Sequence, residues 1–234
     1  MSESAVPNRQ NHRRNSDTVL ISPPSVPSLT SSSERSPIKL GIMASGSGTN
    51  FAAVAQAIAD GKLEAEIKVV IYNNPNARVK EKAEEYGVPT ILIDHRQYST
   101  RENLDREIVA KLQAYGVNWV VMAGWMRITT QVLLDSYPQR IINIHPSLLP
   151  SFKGIRAIDQ ALAAKVKITG CTVHLVSLEV DSGEIIMQAA VPVLDNDTIE
   201  TLHARIQAQE HYILPRAIAM IAAKYSLVSP TTDI

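Results

Sequence analysis

From Ile38 onward, short unbroken apolar runs alternate with longer stretches in which apolar positions recur every three or four residues. The first pattern reads as buried strands and the second as amphipathic helices. IKLGIMA (38–44) is a strand and NFAAVAQAIADG (50–61) a helix closed by Gly61. EIKVVIYNN (66–74) is a second strand, NARVKEKAEEYG (76–87) a charged surface helix and PTILID (89–94) a third strand. STRENLDREIVAKLQAYG (99–116) is a helix opened by a capping signal, with Ser99 or Thr100 at the cap and Glu102 in its first turn. NWVVMAG (118–124) is a fourth strand, TTQVLLDSY (129–137) a short helix and RIINIH (140–145) a fifth strand. After residue 165, KITGCTVHLV (167–176) and EIIMQAAVPV (184–193) read as a hairpin. Residues 198–225 form a long closing helix, expected to bend or break near Pro215.

Repeated strand–helix units with buried strands imply an α/β fold. The expected architecture is a Rossmann-like, mostly parallel sheet of about seven strands, with helices on both faces and an antiparallel C-terminal hairpin at one edge. Residues 38–226 are expected to form one folded domain. Residues 1–37 hold ten serines and five prolines but few large apolar residues, so they read as a disordered extension. Residues 227–234 read as a flexible tail. The N-terminal stretch lacks the apolar core of a secretory signal. A cytoplasmic location is favoured over organelle targeting.

Composition narrows the function. Lys plus Arg and Asp plus Glu are equal at 23 each, so no global charge draws the chain to nucleic acid or to an anionic membrane. No apolar run reaches the roughly 18 residues of a membrane span. The single cysteine, Cys171, excludes an internal disulfide framework and fits a reducing compartment. The scattered histidines and lone cysteine suggest no metal site.

Ligands of open α/β sheets bind beyond the carboxyl ends of the strands. The loop ASGSGTN (44–50) lies there, between the first strand and first helix. It lacks the third glycine of a dinucleotide fingerprint, since Phe51 takes that place, and it lacks the lysine of a P-loop. A small phosphate site built from backbone amides, Thr49 and Asn50 remains, against the plainer reading of a tight turn. At the end of the fifth strand, Asn143 and His145 are two residues apart, which points them to the same side, and Pro146 stiffens the way out. A structural histidine and a catalytic one are both open at this point. Asp181, in the hairpin turn, is either an ordinary turn aspartate or a carboxylate delivered to His145.

The segments GIMASGSGTN, AGWMRI, NIHPSLLPSFKG, GCTVHLVSLEVDSGEII and RIQAQEH together closely resemble the phosphoribosylglycinamide formyltransferases, folate-dependent enzymes of purine biosynthesis, over residues 38 to 225. The resemblance implies a catalytic trio of Asn143, His145 and Asp181. It implies that Gly48, Thr49 and Asn50 hold the substrate phosphate, and that Gln207 and Glu210 contact the rest of the glycinamide ribonucleotide. Arg101, Met126, Arg127, Ile128, Thr129, Asn143, and the loop Ser177, Leu178, Glu179, Val180 and Asp181 match positions that hold 10-formyltetrahydrofolate, the co-substrate. The sequence departs from the usual pattern at SFKGIRAIDQ, where Lys153 and Ile158 stand in place of a proline and a histidine or similar polar residue. Small-molecule substrates are expected, with neither nucleic acid nor membrane as partner, for a monomer or homodimer. Three other readings stand beside this one. A formyltetrahydrofolate hydrolase of the same fold usually carries a folded regulatory domain in front, for which residues 1–37 are too short and polar. A formyl-methionyl-tRNA-forming relative carries a C-terminal tRNA domain, and no basic patch suggests one here. A non-catalytic phosphate-binding α/β protein would not need the trio.

Overall fold

The computed structural model describes residues 20–24 and 37–226. Eight strands form one sheet: β1 (Leu20–Ser22), β2 (Ile38–Ala44), β3 (Ala65–Tyr72), β4 (Thr90–Leu92), β5 (Trp119–Met122), β6 (Ile141–His145), β7 (Ile168–Leu175) and β8 (Ile185–Pro192). Their spatial order is β1-β8-β7-β6-β5-β2-β3-β4. The block from β6 to β4 is parallel, and β7, β8 and β1 are added antiparallel beyond β6.

Six helices cover the sheet: α1 (Thr49–Ala59), α2 (Val79–Glu85), α3 (Arg101–Ala114), α4 (Gln131–Ser136), α5 (Ala157–Ala163) and α6 (Ile199–Ser226). Alternation along the strands divides the core in two. Leu40, Ile42, Val121, Ile142 and Val173 face α1 and α6, packing with Phe51, Val54, Leu202 and Ile206. Met43, Val120, Met122 and Ile141 face α3 and α4, packing with Leu104, Ile108 and Leu133. Of the two candidate caps, Thr100 opens α3, its Oγ1 accepting the Asn103 amide at 3.1 Å.

Three expectations are corrected. The sheet has eight strands rather than seven, because residues 20–22, read as part of a disordered extension, pair with β8 through Leu20↔Ala190, Ile21↔Ala189 and Ser22↔Gln188. Ile21 packs against the core while its neighbours face outward, and β8 offers a row of backbone partners along its outer edge. The rest of 1–37, apart from residues 23, 24 and 37, and the tail 227–234 lie outside the described residues. Second, α5 follows the Asn-His strand, where no helix was expected. Third, of the bend or break expected near Pro215, the break does not occur: α6 is one helix with Pro215 inside it. A proline inside a helix costs about 3 kcal/mol. Ile213, Leu214, Ala217 and Ile218 beside it are fully buried, and each large one contributes about 1.5–3 kcal/mol, enough to carry the helix past it. Among the described residues, no helix is long and apolar enough to cross a membrane.

Candidate functional site

Along β6, Ile142 and Ile144 enter the core on the α1/α6 side. Asn143 and His145 therefore emerge together on the opposite side at the strand's carboxyl end. The antiparallel register sets Asn143 across from His174 and His145 across from Thr172. Directly opposed residues share a face, so β7 adds an imidazole and a hydroxyl to the group. Thr172 secures the turn after Pro146: its Oγ1 donates to the Ser147 carbonyl at 2.7 Å and accepts the Leu149 amide at 3.1 Å.

Asp181 arrives from the β7–β8 connection with a left-handed backbone, φ 51°. Gly183 lets the connection turn back: a Cβ there would lie 1.8 Å from the Leu175 carbonyl oxygen. Asp181 Oδ2 lies 3.3 Å from His145 Nδ1 and accepts the Gly154 amide at 2.8 Å. Asp181 Oδ1 lies 3.5 Å from both Asn143 Nδ2 and His174 Nε2. Burial pushes the Asp181 pKa up, but hydrogen bonding from His174 and the Gly154 amide, with the nearby charge of His145, outweighs it and holds the carboxyl below its ordinary range.

The two imidazoles differ in their bonds. A carbonyl can only accept, so His174 carries a proton on Nδ1, 2.8 Å from the Leu175 oxygen. Its Nε2 then accepts from Asn143 Nδ2 at 3.1 Å when neutral, or donates toward Asp181 when charged. His145 Nε2 donates to the Phe152 carbonyl at 2.8 Å, while Nδ1 faces the Asp181 carboxylate. A neutral ring can donate only one of these bonds, and an imidazolium donates both. The pair is under a tenth exposed at both side chains.

These groups form one wall of a cleft of about 440 Å³, whose other walls come from residues 124–129, 154–157, 176–178 and 180. Its lips are apolar: Met126 is 75% exposed and Ile155 81% exposed, with Ile128, Leu178 and Val180 beside them. Arg127 lines the cleft, and its buried Nε has no hydrogen-bond partner. Arg101, at the exposed start of α3, and Glu179 do not line the cleft, although both were grouped with its residues from sequence.

The glycine-rich loop forms a second centre. Gly48 takes φ 72°, and a Cβ on it would lie 2.6–2.8 Å from Val79. It opens α1 with no side-chain cap, leaving the first amides of the helix for a ligand. Thr49 Oγ1 accepts from Gln207 Nε2 at 3.1 Å, and Asn50 Nδ2 donates to Glu210 Oε2 at 2.9 Å. The structure thus joins the loop and the closing helix, which the sequence separates by about 160 residues. Asn50 Oδ1 is buried without a partner. Burial raises the Glu210 pKa, with the Asn50 bond opposing it. A larger groove of about 730 Å³ between α1 and α6 contains none of the residues of either centre.

Two residues escaped the sequence reading. His174 is visible only once the β6–β7 register is known. Ser45 ties the two centres together: its amide donates to the Gly124 carbonyl at 3.0 Å and its Oγ accepts the Met126 amide at 2.9 Å.

Residues 38–218 match the family described as formyl transferase. A phosphoribosylglycinamide formyltransferase of Bacillus subtilis is 37% identical over 183 residues, covering 78% of this chain and 94% of that one. A trifunctional purine biosynthetic protein adenosine-3 of Gallus gallus is 42% identical over 186 residues, 80% of this chain but only 18% of that protein. The chain thus spans under a fifth of the length of the trifunctional relatives from vertebrates and insects that it matches. The crystal structure of glycinamide ribonucleotide transformylase 1 from Symbiobacterium toebii superposes with a TM-score of 0.79 at 45% identity, covering 80% of this chain and 89% of that one.

Proposed function

Because the chain belongs to the formyl transferase family, we propose that it moves a formyl group from 10-formyltetrahydrofolate to the primary amine of glycinamide ribonucleotide, a step in purine biosynthesis. The observation that carries this reading is the convergence of Asn143, His145 and Asp181 on the wall of a single cleft.

The formyl-folate occupies the cleft with its flat ring system between the apolar lips, beside Arg127. The ribonucleotide phosphate sits at the uncapped start of α1, and its sugar and amide lie toward Gln207 and Glu210. Ser45 holds the two binding loops in fixed relation. Alignment of two reactants can supply roughly 7–11 kcal/mol of the barrier, so positioning carries much of the catalysis.

In the reaction, the amine lone pair forms a bond to the formyl carbon and the carbonyl π electrons move to oxygen. Asn143 turns one N–H from its long 3.5 Å contact with Asp181 to the oxyanion, at little loss. One such donor is worth about 3–4 kcal/mol. As an imidazolium, His145 donates to Asp181 and the Phe152 carbonyl and stabilises the same charge; its Nε2–H swings from the Phe152 carbonyl to N10 and is transferred as the carbon–N10 bond breaks. The proton shed by the attacking nitrogen returns to His145, directly or through water beside Asp181, so the net change is one proton moved from amine to N10. No covalent enzyme intermediate enters.

The test is an assay of the purified chain with both substrates. Release of deformylated folate that depends on the ribonucleotide is the expected result. Release without an amine acceptor would assign a hydrolase instead, and no release at all would defeat both.

A further inference from the structure

Three consecutive residues of the turn after β6 each grip a different part of the site. The Phe152 carbonyl accepts from His145 Nε2 at 2.8 Å, and the Gly154 amide donates to Asp181 Oδ2 at 2.8 Å. Between them, Lys153 Nζ donates to Ser182 Oγ at 2.5 Å and to Glu179 Oε1 at 3.2 Å, straddling Asp181 in sequence. We propose that Lys153 is a positioning residue, a strap that binds the β7–β8 connection to the turn after β6 and thereby holds Asp181 on His145.

The bonding on both sides supports the strap. Ser182 has one hydroxyl hydrogen, donated to the Val180 carbonyl at 2.9 Å, so a lone pair of its oxygen faces the ammonium. The Lys153 backbone is held from behind, with Gln160 Nε2 of α5 donating to the carbonyls of Lys153 at 3.3 Å and Ile155 at 2.9 Å. Phe152 and Asp181 both adopt left-handed backbones, φ 56° and 51°, which non-glycine residues keep only where contacts enforce them. Glu179 is 78% exposed at its side chain, so its ion pair is screened by solvent and the Ser182 bond bears more of the load. A proline at 153 would have no side chain that could reach across.

The inference rests on the proposed formyl transfer and is tested in the full chain. Lys153→Met keeps the stem and removes the ammonium. Steady-state kinetics should show kcat down about tenfold, since small misplacements of reacting groups are costly. KM for formyl-folate should rise while KM for the ribonucleotide stays unchanged. The acid limb of the kcat–pH profile should move to higher pH as Asp181 loses its hold. Lys153→Arg should restore most of the rate, and adding Ser182→Ala to Lys153→Met should change nothing further. Wild-type kcat and pH profile in a folded Lys153→Met variant, or independent additive losses from Lys153→Met and Ser182→Ala, would overturn the strap. If Lys153→Met does not fold, Ser182→Ala alone decides: a loss in kcat with the same pH shift supports the strap, and wild-type behaviour overturns it. Wild-type chain without formyl transfer would instead defeat the functional reading, so the two failures are distinct.

Discussion

Asp181 and His145 meet at 3.3 Å although 36 residues separate them, and the meeting depends on a left-handed backbone at the aspartate. The contact sets the charge of the site. Asp181→Asn keeps the shape and removes the charge, so kcat is expected to fall at least about a hundredfold, the usual scale for disabling positioned proton transfer. Formyl-folate affinity, followed by ligand fluorescence, should change little. A kcat within a few-fold of wild type would show that the carboxylate is not needed.

The same carboxyl links stability to pH. Its folded pKa lies below that of the unfolded chain, about 3.9, so its contribution is full above that value and disappears as pH falls through the folded value. Urea melts of wild type and Asp181→Asn should therefore differ by a constant amount between pH 5 and 7 and converge in strong acid. A gap that widens on acidification contradicts the assignment.

His174 holds Asn143 from across the sheet. With His174→Leu, the amide loses its partner and gains freedom to rotate. A loss of about tenfold in kcat is expected, less than for the trio, with ribonucleotide KM unchanged. An effect confined to thermal stability would mean that His174 only packs.

At the phosphate loop, Gly48→Ala places a Cβ against both the backbone and side chain of Val79 on a residue with φ 72°. Stability should fall by about 1–3 kcal/mol. Isothermal titration should show weaker ribonucleotide binding, and formyl-folate binding should be unaffected. Unchanged binding of the ribonucleotide would place its phosphate elsewhere.

Glu210 supplies the opposite pH dependence. Burial raises its folded pKa above the unfolded value of about 4.3, so the folded chain binds the extra proton and stability falls as pH rises between the two. Glu210→Gln removes that slope while keeping an acceptor for Asn50. Its melting temperature should draw ahead of wild type as pH rises above about 4.3, by about 2–4 °C for each kcal/mol, while ribonucleotide KM rises. Parallel melting curves across that range would contradict the buried charge.

Strands buried on both faces betray themselves as continuous apolar runs, and β2 through β8 were all legible within a few residues. The shared face of Asn143 and His145 was legible because strand period two puts them on one side, whereas the residues alone left Asp181 open between a turn aspartate and a partner for His145. What depended on pairing was not. Leu20–Ser22 is too short to carry a period, and its partner β8 lies near the other end of the chain. His174 gains its role from the register opposite Asn143. Glu179 lies among cleft residues in sequence and Arg101 was placed with them by resemblance alone, yet neither lines the cleft.

The bond between Gln207 and Thr49 has a consequence for folding. The glycine-rich loop and its partners on α6 lie about 160 residues apart. Contacts of such sequence separation form late in folding. Until α6 docks, its buried Leu202, Ile206 and Ile213 leave the α1 side of the sheet uncovered, and Thr49 and Asn50 lack Gln207 and Glu210. One docking event thus closes the core and completes the second centre together.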